Sequence, residues 1–334
     1  MNQQELKKLE DKLILNLQKL IPKKATVIFG ISGGPDSVFL LKILEKLVET
    51  YPIRIILAHV NHRLRGQESD SDEKFVKALA KEKKHTIRII KKDVAKLSAK
   101  LKKGLEEIGR EIRYGFFRGL AKKYKTSLVI VAHHADDNLE TIIMNFSRGA
   151  SLKGLSGMKE LEKLKDNLKL LRPILGISKK QVLDYLKTKK IKFRIDKSNK
   201  DTSYKRNFIR HKIIPHLQQL NPNITDTVAK NTIHLREISK MLETQAVNWI
   251  KTNSKDKSFG KFDAKTFRLQ PKILQKEIIL EIYKTLSGDT QNIETAHIEE
   301  VLKIINSNLG NKIKKLGKLS FSIKNNTISV SNKT

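Results

Sequence analysis

Gly30-Ile-Ser-Gly-Gly-Pro-Asp-Ser37 is the stretch whose reading decides the fold. An apolar run of β character, Ala25-Thr-Val-Ile-Phe-Gly-Ile31, leads into it, and a helix-like run, Val38-Phe-Leu-Leu-Lys-Ile-Leu-Glu-Lys-Leu-Val48, leads out. A strand that turns through paired glycines into a helix start is an anion site. The first-turn N–H groups have no intrahelical acceptor, and the helix dipole favours negative charge there. Gly33 and Gly34 let the backbone come close to a phosphate because no Cβ intervenes. Ser32 and Ser37 add hydroxyl donors, and Pro35 gives up an N–H where the loss is small. A helix start without a ligand is the plain alternative. The loop is not a Walker A loop, because no Lys follows the glycines. Asp36 stands where a cation would help, which makes sense if Mg²⁺ lies between this carboxylate and a polyphosphate.

Working outward, residues 25–31, 53–60, 86–90 and 127–132 read as short buried strands. Helical patterns at 37–49, about 70–84 and about 104–124 lie between them. Such alternation predicts an α/β domain with a parallel sheet covered on both faces. Ligands of such sheets sit beyond the carboxyl ends of the strands. Three polar motifs fall there: Ser32–Ser37, His59–Arg65 and His133–Asp137.

The third motif, His133-His-Ala-Asp136-Asp137-Asn-Leu-Glu140-Thr, follows Leu128-Val-Ile-Val-Ala132. Asp137 as N-cap with Glu140 three positions on would form a capping box. That reading leaves the histidine pair and Asp136 without a reason. Two adjacent carboxylates beside a phosphate loop are placed to hold Mg²⁺, whereas adjacent histidines lack the i, i+4 spacing of a helical zinc site. Arginine is scarce, 14 against 54 Lys, yet Arg63, Arg65, Arg110, Arg113, Arg148, Arg172, Arg206 and Arg210 fall in these loops and motifs. A planar fork matters where phosphate geometry must be fixed.

Residues 148–158 form a glycine-rich loop, 168–174 a further strand and 178–189 a helix. A helical pattern over 204–220 is interrupted at Pro215, and Asn221-Pro222 is a natural break. Beyond it run helices over 224–250, 270–287 and 294–306. The end, 318–330, reads as a hairpin turning at Asn325-Asn326. A split near 218 therefore gives a catalytic domain, 1–218, and a smaller, mostly helical domain, 219–334. The net charge is +33, and residues 301–334 carry seven Lys and no acid. This favours a polyanionic partner, nucleic acid first, with a compositional bias towards Lys as the competing explanation. There is no cysteine, which excludes disulfides, iron–sulfur clusters and a thiolate nucleophile. No apolar run approaches the ~20 residues of a membrane span, and no signal-peptide core opens the chain, so a cytoplasmic protein is expected.

Ser-Gly-Gly-x-Asp-Ser resembles the loop of the PP-loop ATP pyrophosphatases, which split ATP into AMP and diphosphate. Within that superfamily the chain is similar to the tRNA(Ile)-lysidine synthetases. The matching pieces run in order: Ser32–Ser37, His59–Arg65, Arg110–Phe117, His133–Thr141, Arg148–Met158, Arg172-Pro-Ile174, Asp196-Lys-Ser-Asn199, and Tyr204–Arg210 with Ile214-Pro215. Asn138 departs from a usual Gln, and Ser151 from a common Gly. The resemblance implies a Rossmann-like PP-loop ATPase domain followed by a tRNA-binding domain, in the short form without a third domain.

It also implies a ligase that joins L-lysine to C2 of the wobble cytidine of the isoleucine tRNA with anticodon CAU. ATP adenylates the C2 oxygen, and the lysine ε-amine then expels AMP. The alternative is another PP-loop tRNA-modifying enzyme or small-molecule ligase. Ser32, Gly33, Gly34, Pro35, Asp36 and Ser37 are expected to cradle the β,γ-phosphates. By resemblance, Ala58, His59 and Val60 meet adenine. Asp36 and Asp137, supported by Asp136, are expected to hold Mg²⁺, and Arg113 and His133 to steady the α-phosphate. A carboxylate or His133 is left open as the base that deprotonates lysine. The oligomeric state is not fixed, and a homodimer is compatible with the sequence.

Overall fold

The protein is described by a computed structural model covering residues 1–64, 66–195, 201–255, 260–288, 293, 295–307 and 311–332. Arg65 and the segment Asp196-Lys-Ser-Asn199 lie outside the described residues. Contacts group the chain into two units, Met1–Thr141 with Met158–Ala229, and Ile142–Gly157 with Lys230–Thr334. The expected boundary at 218 falls inside a helix, Ile214–Leu220.

The first unit opens with α1 (Gln3–Leu20), β1 (Thr26–Gly30), α2 (Pro35–Thr50), β2 (Arg54–Asn61), α3 (Gln67–Glu82) and β3 (Thr86–Lys91). Then come α4 (Val94–Leu101), α5 (Leu105–Lys123), β4 (Leu128–Ile130) and α6 (Ala135–Phe146), which runs past the division, followed by the short α7 (Leu152–Leu155) of the second unit. Back in the first unit are β5 (Leu161–Lys163), β6 (Lys169–Leu171), α8 (Lys179–Thr188), α9 (Lys205–Phe208), a π-helical turn (Ile209–Ile213) and α10 (Ile214–Leu220). The strands lie in the order β3-β2-β1-β4-β6-β5. All neighbours are parallel except β5, which pairs antiparallel with β6 at the edge. The connection order reverses between β1 and β4, and in parallel sheets that crevice is where ligands bind.

Alternating side chains of β1 serve two cores. Val27 and Phe29 join the apolar faces of α1, α2 and α8, including Leu13, Phe39, Leu44 and Tyr185. Ile28 joins Phe117, Leu120 and Ala121 of α5. Each fully buried Leu, Ile or Phe contributes roughly 1.5–3 kcal/mol, so the seven buried apolar residues of α2 between Val38 and Leu47 hold it firmly under the loop that precedes it. A Cβ on Gly30 would stand 2.7 Å from Phe117 Cζ. Only glycine lets α5 pack this close to the end of β1. The sequence reading missed α4 and the edge strand β5, both too short for periodicity to register.

The second unit continues α11 (Ile224–Asn253), which begins before the division, with β7 (Lys261–Asp263), α12 (Ala264–Arg268), α13 (Lys272–Ser287), α14 (Thr295–Asn306), β8 (Lys312–Leu316), β9 (Leu319–Lys324) and β10 (Thr327–Asn332). The expected hairpin is there as β9 and β10. Asn325 and Asn326 both have positive φ, 48° and 55°, as a two-residue hairpin turn with matching twist requires. It belongs to a larger antiparallel sheet of order β7-β10-β9-β8. One sheet face packs Phe262, Phe321, Ile323 and Ile328 against Ile278, Ile282 and Val301 of the helices. Among the described residues no helix is long and apolar enough to cross a membrane.

Candidate active site

The loop after β1 is closed on itself by Ser37, whose buried hydroxyl accepts from the N–H of Ser32 (3.3 Å) and of Gly33 (3.1 Å) and donates to the carbonyl of Gly34 (3.0 Å). Ser32 Oγ in turn accepts from the Gly34 N–H at 3.2 Å. Three backbone donors thus converge on hydroxyl oxygens at a helix start, the arrangement that cradles an anion. Gly33 has φ +87°, and a Cβ there would meet Phe75 and Val76 at 3.2 and 3.1 Å. Both the conformation and the space call for glycine. Pro35 is the first residue of α2, where its missing N–H costs nothing.

Ala58, His59 and Val60, from the end of β2, flank the root of this loop. The Ala58 carbonyl accepts from Ile31 N–H at 3.0 Å, and His59 Nδ1 lies 2.9 Å from the Ile31 carbonyl, so Nδ1 carries the proton and donates. His59 Nε2 is buried and, among the described residues, has no partner. Burial, foremost, holds its pKa below the usual value, so His59 is a neutral ring with an unused acceptor.

Three carboxylates surround His134. Its Nε2 stands 3.4 Å from Asp137 and 3.7 Å from Asp36, and its Nδ1 3.4 Å from Asp136. Burial opposes a charge on this ring, but contact with Asp136 and the charges of Asp137 and Asp36 outweigh it and raise the pKa. Each carboxylate also has a second partner. Lys179 Nζ reaches both oxygens of Asp36 at 2.7 and 2.8 Å, and the Lys179 backbone N–H donates to Asp136 at 2.7 Å. Asp137 accepts from the His134 N–H at 3.0 Å and from Arg206 at 3.1 Å. Burial would raise the pKa of Asp136 and Asp137, but these cations and donors lower both.

The capping-box alternative is corrected here. Helix α6 begins at Ala135, so Asp137 is its third residue and reaches back to the His134 N–H rather than standing as the N-cap. Glu140 takes no part in capping. It is almost fully buried and is gripped by Arg206 Nε and Arg210 Nε, each at 2.6 Å. Burial works against both guanidiniums, but the charges of Glu140 and Asp137 more than offset it and raise their pKa values. The chain adopts its π-helical turn at Arg210, one of these two side chains, in keeping with the association of such turns with functional sites.

His133 lies on the other side of the motif. Its Nδ1 accepts from Arg172 Nε at 3.1 Å, so the proton of the neutral ring sits on Nε2. Arg172 is itself buried and held by the Lys159 carbonyl and Glu162, each at 2.7 Å. Burial, with Arg172, Arg206 and Arg113 nearby, pushes the His133 pKa down to about 3. His133 is therefore a fixed neutral donor. Arg113, on α5, differs from its neighbours. Among the described residues it forms no hydrogen bond or ion pair, although its charge is felt by His133, His62 and Arg206. Burial lowers its pKa, but a guanidinium so disfavoured stays charged. Glu106 favours its charge from a distance, but among the described residues no group contacts the guanidinium as a counter-ion.

His62 follows the same logic, and its stability effect can be measured. Its pKa is pushed down to about 4, by burial first and then by Arg113 and His59. In the unfolded chain the ring titrates near ~6.5. Between those values the unfolded state binds more protons, so stability falls as pH is lowered through this window, by about 3 kcal/mol in all for one such group. His62→Gln should flatten the urea midpoint against pH between about 6.5 and 4. A variant profile parallel to the wild type would refute the neutral-ring assignment.

Of the residues singled out in the sequence, the structure gathers Asp36, Asp136 and Asp137 around His134, and it sets Arg113, on α5, where its charge bears on His133. Sequence reading gave no role to Lys179 and His134, and it explained Glu140 as a cap. Lys179 carried no signal beyond its place at a helix start, Ser178 being the cap. Arg206 and Arg210 stood out by residue type and by their place in the Tyr204–Arg210 motif.

The PP-loop domain family matches residues 3–217. The tRNA(Ile)-lysidine synthase of Clostridium tetani is 35% identical over 295 residues, covering 87% of this chain and 62% of that protein. The enzyme of the same name from Bacillus cereus is 33% identical over 292 residues, covering 85% and 60%. That from Clostridioides difficile is 29% identical over 302 residues, covering 90% and 64%. The chain spans a little over three-fifths of the length of these curated relatives. Among solved structures, the U34-tRNA thiolase from Methanococcus maripaludis superposes with a TM-score of 0.57 at 19% identity, over 70% of this chain and 81% of that one, a likeness of fold.

Proposed function

The chain belongs to the PP-loop domain family, and on that premise we propose that it uses ATP to join L-lysine to C2 of the wobble cytidine of tRNA(Ile) with a CAU anticodon. The observation that carries this reading is Arg113, which among the described residues forms no hydrogen bond or ion pair and whose charge bears on His133 of the His133–Asp137 motif, in a site where nearly every other charge has a partner. An anion is what such a cation lacks, and the loop offers backbone donors for more of it. The similarity to lysidine synthases over most of the chain supports the substrate. The net charge of +33 supports a polyanionic partner. We place the reaction in the cytoplasm, where that tRNA is found.

In this reading the β,γ-phosphates displace the hydroxyls of Ser37 and Ser32 as acceptors from the N–H groups of Ser32, Gly33 and Gly34, and these donors still face the diphosphate as it leaves. The α-phosphate meets Arg113 and His133 Nε2–H. Adenine lies against the Ala58–Val60 end of β2. The cytidine C2 oxygen attacks the α-phosphorus and diphosphate departs. The lysine ε-amine then attacks C2 and AMP leaves. A wobble base needs no unpairing to enter such a pocket, because it comes from a single-stranded loop. His133, neutral and with Nδ1 engaged by Arg172, acts as a donor here and not as the base for lysine.

Asp36 and Asp137 supply hard oxygens facing one atom, His134 Nε2, at 3.7 and 3.4 Å, a donor set that suits Mg²⁺. Asp136 faces the opposite ring nitrogen and supports the set through His134. Among the described residues no three His, Asp or Glu side chains form a complete metal cage, so phosphate oxygens and water would complete the coordination. When bound, Mg²⁺ would neutralise charge on the departing diphosphate.

The test is mass spectrometry of tRNA(Ile) after incubation with the protein, ATP and lysine. The expected product has one cytidine replaced by lysidine, with AMP formed in equal amount. AMP formation that needs no tRNA would instead indicate a small-molecule ligase and sink the proposal.

A further inference from the structure

The Ser32–Ser37 loop carries no lysine, yet the fold delivers one to it. Lys179 is the first residue of α8, 142 positions beyond the loop's end at Ser37. Its ammonium spans both oxygens of Asp36 at 2.7 and 2.8 Å. Its backbone is fixed independently. The Lys179 N–H donates to Asp136 at 2.7 Å, and Ser178 and Gln181 cap the helix reciprocally. The main chain is therefore pinned while the four-carbon stem remains free to swing. The pair also stands at the site's mouth, with 34% of the Lys179 side chain and 25% of that of Asp36 exposed. The ion pairs of Asp137 with Arg206 and of Glu140 with Arg206 and Arg210 lie deeper. Of all the charged pairs in the site, this one is the easiest to open.

An ammonium on both oxygens of Asp36 occupies the edge of the carboxylate from which a divalent cation would be bound. The two cations cannot share that edge, and the triphosphate offers the displaced ammonium several new oxygens. We infer that Lys179 is an exchangeable counter-ion. It neutralises Asp36 in the nucleotide-free protein, yields that carboxylate to the divalent cation when the triphosphate enters, and moves to the phosphate oxygens. It is a positioning residue, and it would do in trans along the chain what the lysine of a Walker A loop does within the loop. The inference rests on the proposed ATP reading.

The experiment compares wild type, Lys179→Met and Lys179→Arg, with Lys179→Gln standing in if the Met variant melts early. Mn²⁺ binding to the nucleotide-free protein is followed by the electron paramagnetic resonance signal of the free ion, and Mg·ATP binding by calorimetry. Lys179→Met should bind Mn²⁺ roughly tenfold more tightly, because Asp36 is released, and Mg·ATP about tenfold more weakly, because an ammonium is missing from the phosphates. Lys179→Arg should bind Mn²⁺ no more tightly than wild type, because its planar fork holds both oxygens of Asp36 at least as firmly, and should keep Mg·ATP affinity within about threefold. Affinities that move in opposite directions are a result that general damage to the fold does not produce. Unchanged Mn²⁺ affinity in Lys179→Met, or Mg·ATP bound as well as by wild type, overturns the exchange. Wild-type protein that binds no Mg·ATP overturns the ATP reading itself, and the exchange with it.

Discussion

Asp36→Asn should lower tRNA-dependent diphosphate release by a factor of about a thousand or more while leaving the melting temperature within about 2 °C of wild type. The two halves of this expectation have separate causes. The side chains of Asp36 and Lys179 are both partly exposed, and exposed ion pairs contribute only about 0–1 kcal/mol. Asn has the same shape, and α2 stays anchored by its buried apolar face. Little stability is therefore at stake. The chemistry loses much more. An amide cannot hold a divalent cation at the diphosphate as a carboxylate does, and charge on the leaving group then goes unanswered. On the proposed reading the loss should fall on kcat more than on KM, because the phosphate contacts assigned there to Ser32, Gly33, Gly34 and Arg113 would remain in the ground state. Diphosphate release by Asp36→Asn within tenfold of wild type would remove Asp36 from the reaction.

Much of this site could be read from the chain because its parts are local. A strand, a glycine turn and a helix start are neighbours in sequence, so the Ser32–Ser37 loop, its donors and its place at a strand end follow from residue order alone. The same holds for His133–Asp137 after β4. The pairings that tune these groups were not legible. Arg172 and Arg206 stood out by residue type, but they and Lys179 reach the site from far along the chain, and nothing in periodicity or spacing couples residue 36 to residue 179 or residue 137 to residue 206. Asp137 and Glu140 show how a local rule misleads. Three residues apart at a helix start, they fit a capping box, yet the two half-buried arginines offer Glu140 a stronger interaction than a backbone N–H. In the second unit the Asn325-Asn326 turn was legible from its chemistry. Strands β7 and β8 were not, since three to five residues with Lys-rich alternation carry little apolar signal.

Glu140→Ala should be the most damaging single change in the first unit that touches no apolar core residue. Glu140 is 1% exposed and accepts from Arg206 Nε, Arg210 Nε and Arg210 Nη2 at 2.6, 2.6 and 3.1 Å. Removing it leaves two half-buried guanidiniums whose remaining carboxylate within 4 Å, among the described residues, is Asp137, at 3.1 Å from Arg206 and 3.6 Å from Arg210. Breaking one side of a buried ion pair costs about 3–5 kcal/mol, because the desolvated partner charge stays behind. For a unit of this size that corresponds to a melting shift of roughly 10 °C. Glu140→Gln keeps the shape and one acceptor oxygen and should lose about half as much.

A second readout separates this role from chemistry. Arg206 also holds Asp137, so its release should loosen Asp137 and weaken Mn²⁺ binding in the folded variant below its melting transition. Combining Arg206→Leu and Arg210→Leu with Glu140→Leu removes every member of the ion cluster except Asp137, and should recover part of the stability, as buried ion networks replaced by apolar side chains often do. If Glu140→Ala melts within about 2 °C of wild type, or the triple variant melts lower still, then the cluster does not hold α6 to the turn at Ile209–Ile213, and the deep half of the site must be organised by something else.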